Sequence, residues 1–378
     1  MVDGDRGSYQ YVLAILLILY IGVMAIINMV TPSRVFSESE NRMLEQAPHF
    51  SLANLIQGKY TSAYEKYIAD QFPWRDGWIG VRSEAERVLG RNESNGVYLG
   101  RDGYLLQKFT EPSDEVFQSK VADLNAIAAS LPGLRKYLLL APTSVKILAD
   151  KLPANAPVDD ELVCLNRVRR SLDKSITCVD VYDALYSRKE EDIYYKTDHH
   201  WTTRGAYYAY QRLGEVMGFT PHDQSYFRIA RVTDSFYGSL YSTGGFRNLQ
   251  PDAIDLYLPR VPEQYQVYYY DDQKATDSLY ALENLDKKDK YAVFLDGNKS
   301  LIKITTNADS QRKLLLLKDS YANCLIPFLT GHFREIYVVD PRYYSDSLSD
   351  LAKTSGVTDL LMLYNVNTFF GDASDNVS

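Results

Sequence analysis

The fold class that this sequence predicts is α/β, with a mostly parallel sheet flanked by helices. Apolar segments of strand length alternate with amphipathic helical segments along most of the chain, an order that is typical of parallel sheets. The four consecutive leucines of residues 314–317 have the continuous apolar character of a strand that is buried on both faces. With 378 residues, of which 46% are hydrophobic, the chain can form one large or two modest domains around a full core.

The charge balance excludes one class of partner. The chain is acidic, with a formal net charge of -8, and it contains no long run of lysine and arginine. Proteins that hold nucleic acid neutralise its phosphates with clustered basic side chains. We therefore expect no nucleic-acid partner.

The first element is an apolar segment of membrane-spanning length. No charged residue lies between Gly7 and Ser33, and residues 11–30 are almost wholly apolar. About 20 such residues cross about 30 Å of hydrocarbon as a helix, whereas a cleaved signal peptide has an apolar core of about 7–15 residues and a small-x-small cleavage site. We expect residues 1–10 to be a short cytoplasmic N-terminus, residues 11–30 a transmembrane signal anchor, and the large remainder to lie outside the cell membrane.

Two segments separate this anchor from the main domain. Residues 31–50 are polar and charged without a clear period, which predicts a linker. Residues 51–94 have apolar side chains at helical spacing, interrupted at Pro73, and predict a helical lead-in of two helices. Residues 95–378 are then expected to form the extracytoplasmic domain.

The elements of this domain follow in order. Residues 95–107 predict a hairpin, because Asp102-Gly103 separates two short apolar runs. Residues 235–306 are rich in Tyr, Asp and Gly and predict an antiparallel β insertion, which could shape a substrate cleft or only extend the sheet. The other predicted elements are helices over residues 115–129, 159–174 and 205–217 and strands over residues 136–141, 176–181, 314–317, 336–340 and 360–364.

The candidate catalytic residues lie in two segments that are far apart in sequence. If the chain is extended at residues 197–201, Asp198 and His200 point to the same side. A carboxylate beside an imidazole fixes its tautomer and allows it to activate a hydroxyl nucleophile. Ser320 follows the leucine strand, where a helix could begin at Tyr321 and direct its free N–H groups at a developing oxyanion. The alternative is that Ser320 or Asp319 only caps that helix.

A metal centre is a competing interpretation, since Asp198, His199 and His200 are all potential ligands. Adjacent histidines on an extended chain point to opposite sides, which separates two of the three. The remaining histidines stand at no spacing that is typical of a zinc or iron site; they are His49, His222 and His332. We therefore predict neither a metal nor a cofactor.

Both candidate segments, Tyr194–Tyr208 with its Asp-His-His-Trp sequence and Leu314–Asn323, resemble those of the DHHW-motif family. That family is related to the alginate O-acetyltransferases and has an SGNH-hydrolase-like domain. Further stretches resemble the same family, and they are Gly58–Tyr60, Asp70–Asp76, Gly100–Leu105 and Phe236–Ser242.

The resemblance implies a role for each candidate residue. Ser320 is the implied nucleophile, His200 the general base, and Asp198 the residue that orients His200. The implied order is circularly permuted relative to most SGNH hydrolases, because the acid and the base precede the serine. Geometry and roles, rather than chain order, define such a triad.

The same resemblance implies an oxyanion hole and a set of neighbours. SGNH-like sites add a glycine N–H and an asparagine amide to the N–H of the nucleophile, and Asn365, at the end of the strand over residues 360–364, is the candidate amide. The alternative is that Asn365 only ends a strand in a turn. Three residues are expected as neighbours of the cleft or the substrate: His199, Trp201 and Tyr321.

The function that the resemblance favours is serine-dependent acyl transfer. It implies O-acetylation of a cell-surface or exported polysaccharide through an acetyl-Ser320 intermediate, with a multipass membrane O-acyltransferase as the partner that supplies acetyl groups. With water as the acceptor, the same triad would make a carbohydrate esterase. A non-catalytic polysaccharide-binding or scaffold protein of an export complex is the third interpretation, because a fold does not establish a function.

Overall fold

The computed structural model of the chain describes residues 3–37 and 42–371. The chain divides into two compact units, Met1–Gly90 and Arg91–Ser378.

The first unit begins with a long apolar helix, α1 (Asp3–Val30). Its segment Gln10–Asn28 has a mean hydropathy of 2.5 and is not buried against the protein. By length and composition alone this helix can cross a membrane, a property that a signal sequence near the N-terminus shares. The other elements of the unit are β1 (Phe36–Ser37), β2 (Arg42–Met43), α2 (Leu52–Ile56), α3 (Lys59–Asp70) and α4 (Arg75–Val88).

The break between α3 and α4 falls at Pro73, where the sequence predicts it. Proline has no N–H to donate and clashes with the preceding turn, so a helix cannot run through it undisturbed. The two strands β1 and β2 pair antiparallel inside the segment that the sequence predicts to be a linker.

The second unit is built from a large mixed sheet and surrounding helices. Its strands are β3 (Glu93–Ser94), β4 (Val97–Leu99), β5 (Leu105–Gln107), β6 (Arg135–Ala141), β7 (Ile176–Cys178), β8 (Phe227–Phe236), β9 (Asp252–Pro259), β10 (Tyr265–Tyr269), β11 (Lys274–Thr276), β12 (Leu301–Thr306), β13 (Lys313–Lys318), β14 (Glu335–Val339) and β15 (Asp359–Asn365). Its helices are α5 (Asp114–Ser130), α6 (Ser144–Ile147), α7 (Glu161–Ser171), α8 (Tyr182–Tyr186), α9 (Thr203–Met217), α10 (Ser239–Gly244), α11 (Leu348–Ser355) and α12 (Val366–Phe370).

The main sheet has eight strands in the order β11-β10-β12-β14-β13-β15-β6-β7. The five strands from β14 to β7 are parallel, and the leucines of β13, which lies between β14 and β15, are fully buried. A strand covered on both faces needs this continuous apolar character. The predicted α/β class with a large sheet is therefore confirmed.

The predicted β insertion has two parts with different positions. Strands β10, β11 and β12 add antiparallel to β14 and extend the main sheet. Strands β8 and β9 form a separate antiparallel ribbon that begins at Phe227, before the predicted start of the insertion at residue 235. The insertion thus contributes both an extension of the main sheet and a separate ribbon.

One predicted element is absent from the described structure. The sequence predicts a helix after Ser320, but the chain forms only the 3-10 turns Ser320–Ala322 and Ile326–Leu329. Nearly every side chain in this stretch is buried, so the segment lacks the solvent face of an amphipathic surface helix. Pro327 also withholds a backbone N–H from any longer helix.

The cysteines are free thiols. Cys164 and Cys324 are buried, and Cys178 is half-buried. The burial of Cys324 agrees with its place in the packed stretch after Ser320. Burial raises the pKa of the Cys324 thiol to about 12, so it stays protonated at neutral pH.

Candidate active site

Ser320 lies where the central parallel strand reaches the carboxyl edge of the sheet. Strand β13 is in parallel register with both β14 and β15. Ser320 opens a 3-10 turn and is half-buried, whereas the strand residues before it are fully buried. Ligands of parallel α/β sheets gather at this edge.

The Asp-x-His segment is a tight loop and not an extended strand. An isolated antiparallel bridge joins Tyr194 to Trp201 and closes the loop. Within it, the Asp198 carboxylate accepts a hydrogen bond from the backbone N–H of His200 at 3.0 Å. This Asx turn, rather than the alternation of an extended chain, brings the two side chains together.

Asp198, His200 and Ser320 form a continuous hydrogen-bonded chain. Asp198 Oδ1 lies 2.5 Å from His200 Nδ1, and His200 Nε2 lies 2.8 Å from Ser320 Oγ. An ionised carboxylate only accepts hydrogen bonds, so Nδ1 carries the hydrogen and Nε2 is left to accept from the serine hydroxyl. This geometry suits removal of the serine proton by the imidazole.

Asp198 is buried, and its second oxygen is held by the start of α10. Oδ2 accepts from the backbone N–H of Ser239 at 2.8 Å. The preceding residue, Gly238, leaves the necessary space, because a Cβ there would lie 2.2 Å from Asp198 Cβ and 2.3 Å from Oδ2. Only glycine fits so close to the carboxylate.

The charge of Asp198 follows from its neighbours. Burial by itself raises the pKa of a carboxyl group, but the imidazoles of His200 and His199 and the hydrogen bonds from His200 and Ser239 outweigh burial. The pKa of Asp198 is therefore held well below its ordinary value. The group is an anion at neutral pH and can orient and stabilise an imidazolium.

The ring of His200 lies between two other rings. The His199 ring is 3.8 Å away between centroids, and the Tyr291 ring is 3.9 Å away and nearly parallel at 14°. The buried Tyr291 also donates from its hydroxyl to the Ser320 carbonyl at 3.2 Å. Tyr291 thus contacts both the candidate base and the backbone of the candidate nucleophile.

Sequence reasoning missed Tyr291, Gly238 and Ser239 as parts of the site. Gly238 and Ser239 belong to a stretch that resembles the DHHW family, which was the one signal that could have found them. Tyr291 offers no such signal, since it is one of 31 tyrosines and lies in the insertion between base and nucleophile.

His199 is the expected neighbour that reaches the surface, with 24% of its side chain exposed. Its Nδ1 lies 2.6 Å from Ser239 Oγ, and the hydrogen bond to Ser320 Oγ comes from His200 instead. Burial, followed by the nearby His200, lowers the pKa of His199 to about 4. His199 is therefore neutral at neutral pH.

The other two expected neighbours are buried. Trp201 and Tyr321 are each 0% exposed, and their place beside a cleft or a substrate stays a prediction. Trp201 Nε1 donates to the Tyr321 carbonyl at 2.9 Å, and the Tyr321 hydroxyl donates to the His199 carbonyl at 2.7 Å. These aromatic residues join the two candidate segments from inside the core.

Asp319 and Asn365 link the ends of two neighbouring strands. The Asp319 carboxylate accepts from the N–H of Tyr321 at 2.9 Å and from the N–H of Asn365 at 2.8 Å. Asn365 Oδ1 caps α12 by accepting from the N–H groups of Asn367 and Thr368. Asn365 thus has a structural role at the end of its strand. Its Nδ2 group takes no part in the cap, and the role of Asn365 as an oxyanion donor stays a prediction.

Three side chains of the site are of the types that bind metal ions. One ligand atom from each of Asp198, His199 and His200 can be chosen so that all lie within 4.8 Å of one another. The closest of these atoms are joined by hydrogen bonds, since Asp198 Oδ1 faces His200 Nδ1 and His199 Nδ1 faces Ser239.

Several known proteins are similar to this chain in sequence. The chain is 24% identical over 243 residues to the probable alginate O-acetylase AlgJ of Pseudomonas fluorescens, and 26% identical over 255 residues to that of Pseudomonas aeruginosa. These alignments cover 61% and 63% of this chain, and they span 61% and 62% of the relatives' own lengths.

Two solved structures have a similar fold. A DHHW family protein from Eubacterium siraeum gives a TM-score of 0.66 at 26% identity, covering 75% of this chain and 95% of that one. PatB1 of Bacillus cereus gives a TM-score of 0.63 at 20% identity, covering 73% of this chain and 98% of that one, and at this identity the likeness concerns the fold alone. A sequence profile described as DHHW protein matches residues 84–339. The chain belongs to the DHHW family.

Proposed function

We propose that this protein transfers acyl groups through Ser320, and that its reaction is O-acetylation of a cell-surface or exported polysaccharide. The observation that supports this most is the hydrogen-bonded chain from Asp198 through His200 to Ser320, at 2.5 and 2.8 Å. The names of the AlgJ relatives, which are probable alginate O-acetylases, support the choice of an acetyl group and a polysaccharide acceptor.

In the proposed first half-reaction, His200 Nε2 takes the Ser320 proton while Oγ attacks the carbonyl carbon of an acetyl ester. The tetrahedral intermediate collapses to acetyl-Ser320, and the donor alcohol leaves with the proton from His200. Asp198 keeps Nδ1 protonated and stabilises the imidazolium. The N–H of Ser320 and the amide of Asn365 are the proposed donors to the oxyanion.

In the second half-reaction, a sugar hydroxyl takes the place of the donor alcohol. His200 removes its proton, the sugar oxygen attacks acetyl-Ser320, and the serine regains a proton as the O-acetyl sugar forms. Water in the same position would release acetate and make the protein an esterase. The acceptor alone separates the two reactions.

The proposed setting is the outer side of the cell membrane. The apolar helix α1 is proposed as a signal anchor, with residues 32–378 outside and a multipass membrane acyltransferase that supplies the acetyl groups. Protease added to intact cells is expected to digest the large unit. Protection of this unit would contradict the proposed topology.

The activity can be tested with the purified full-length chain, an activated acetyl ester and a range of oligosaccharides. We expect acetylated sugar in addition to free acetate, and loss of both in Ser320→Ala by about 10⁴-fold or more, as for other serine triads. His200→Ala and His199→Ala are a matched pair of adjacent imidazoles, and the first is expected to lower turnover much more than the second. The reverse ranking would identify His199 as the base.

The products decide between the remaining functions. Acetate alone, across acceptors that demonstrably bind, would assign the protein as an esterase. Release of neither product, together with no labelling of Ser320 by a serine-reactive phosphonate, would favour a polysaccharide-binding or scaffold protein.

A further inference from the structure

The turn between α3 and α4 is fixed to the end of the apolar helix α1. Asn28, in the last turn of α1, donates from Nδ2 to the Gln71 carbonyl at 3.0 Å. The Gln71 amide accepts from the N–H of Arg34 at 2.9 Å and donates to the carbonyls of Arg34 and Glu45 at 2.8 and 3.1 Å. Gln71 is buried, and its donors and acceptor are satisfied by backbone groups. Gln71 therefore lies directly beside the last turn of α1.

A second contact fixes α3 to the same place. The hydroxyls of Ser33 and Tyr67 are 3.0 Å apart, and the Glu45 N–H donates to Asp70 Oδ2 at 2.9 Å. The chain leaving α1 is thus held on both sides of the last turn of α3. The start of α4 has a defined position relative to α1 within this unit.

An apolar stripe begins at this turn and continues along α4. Trp74 is 67% exposed, Trp78 is 44% exposed and Val81 is 60% exposed. Trp78 and Val81 are three residues apart on one face of α4, and Trp74 is the residue immediately before the helix, where its carbonyl accepts from the N–H of Trp78 at 3.1 Å. Trp74 also has a φ of 54°, which is uncommon for a bulky residue. Exposed aromatic side chains aligned in this way mark an interaction surface rather than a core.

Arginine side chains lie beside the stripe. A groove on this part of the unit is lined by Trp78 together with Arg75 and Arg82. Tryptophan is enriched at the boundary between membrane and water, where its ring is in an apolar environment and its N–H contacts water. Tryptophan and arginine on one helix are typical of segments that lie in this boundary.

We propose that Trp74, Trp78 and Val81 insert into the headgroup boundary of the membrane that α1 crosses. The proposal rests on the proposed membrane position of α1. A lipid surface is the occupant that the structure favours over a protein partner, because the stripe starts at the turn that is hydrogen-bonded to the last turn of α1. The first unit would then be held at the membrane by two elements, one that crosses the bilayer and one that lies on it.

The chain contains three tryptophans, and the third, Trp201, is 0% exposed in the second unit. Fluorescence therefore reports on the stripe with little background. The full-length chain is reconstituted into vesicles of phosphatidylcholine and phosphatidylglycerol, with and without phosphatidylcholine brominated near the headgroup end of its acyl chains. The double variant Trp74→Phe/Trp78→Phe is the matched control, because only Trp201 remains.

We expect the brominated lipid to quench a large share of the wild-type emission, up to roughly two thirds, since two of three tryptophans lie in the boundary. The double variant is expected to show almost no quenching, and its Trp201 emission verifies that the second unit is folded. Single variants assign the quenching to Trp74 or Trp78.

Flotation of the vesicles separates failure of this proposal from failure of the membrane anchor. Wild-type protein that floats with the vesicles but is not quenched by brominated lipid would overturn the proposal while leaving the anchor intact. Protein that does not float would overturn both. Quenching that is equal in the wild type and the double variant would place Trp201 at the lipid and also overturn the proposal.

Discussion

The space left by Gly238 allows a sharp test of how Asp198 is positioned. A methyl group at residue 238 would have its carbon 2.2 Å from Asp198 Cβ and 2.3 Å from Oδ2. Carbon atoms in contact lie about 3.5–4.0 Å apart, so Gly238→Ala must displace Asp198 by more than 1 Å. The neighbouring N–H of Ser239, which holds Oδ2 at 2.8 Å, would be displaced with it.

This displacement predicts a large loss of turnover with a moderate loss of stability. A misplacement of about 1 Å in a catalytic group costs about 10²-fold, and a wrongly oriented base costs up to about 10⁴-fold. Overpacking of a buried site costs about 1–3 kcal/mol of unfolding free energy. We therefore expect Gly238→Ala to be folded but to hydrolyse an activated acetyl ester about 10²–10⁴-fold more slowly than the wild type.

The assay measures release of the alcohol from the ester, with thermal unfolding followed by circular dichroism on the same samples. Gly77→Ala is the control, because a Cβ at residue 77 would meet no atom within 4 Å. It is expected to keep wild-type turnover. A folded Gly238→Ala protein with wild-type turnover would refute the reasoning that the position of Asp198 controls the reaction.

Three further predictions concern other groups. Asn365→Ser keeps a side-chain oxygen that can cap α12 but loses the amide donor, so turnover should fall about 10²–10³-fold while the protein stays folded. Unchanged turnover would exclude the oxyanion role. Tyr291→Phe keeps the ring on His200 but removes the hydroxyl that donates to the Ser320 carbonyl, so we expect turnover to fall by less than about tenfold. An equal loss of turnover in Tyr291→Phe and Tyr291→Leu would show that the hydroxyl alone matters. Burial and nearby positive charge lower the pKa of His332 from 6.5 to about 4. Between these two pH values the unfolded chain binds a proton that the folded chain does not, so the free energy of unfolding should fall as the pH drops from 6.5 to about 4. Urea unfolding across this range should show a smaller fall for His332→Gln, and equal falls would contradict the assignment.

The elements of the fold were largely predictable because their signals are local. The leucines of β13 and the periodic helices are properties of short windows of sequence, and the observed strands β6, β13, β14 and β15 lie where those windows place them. The failed prediction was a helix after Ser320. There the local pattern allowed a helix, but packing of the whole stretch in the core favoured short 3-10 turns.

The sequence by itself determined the apolar helix at the N-terminus, the α/β class and the residue types of the candidate triad. These follow from composition, periodicity and a short motif, all of which are readable within a few residues. Only the tertiary structure decided that an Asx turn joins Asp198 to His200, that Gly238 leaves the space for this carboxylate, and that Tyr291 covers the imidazole. The physical reason is that such contacts join residues tens of positions apart, and their distances depend on the order of the strands and on how the loops between them pack.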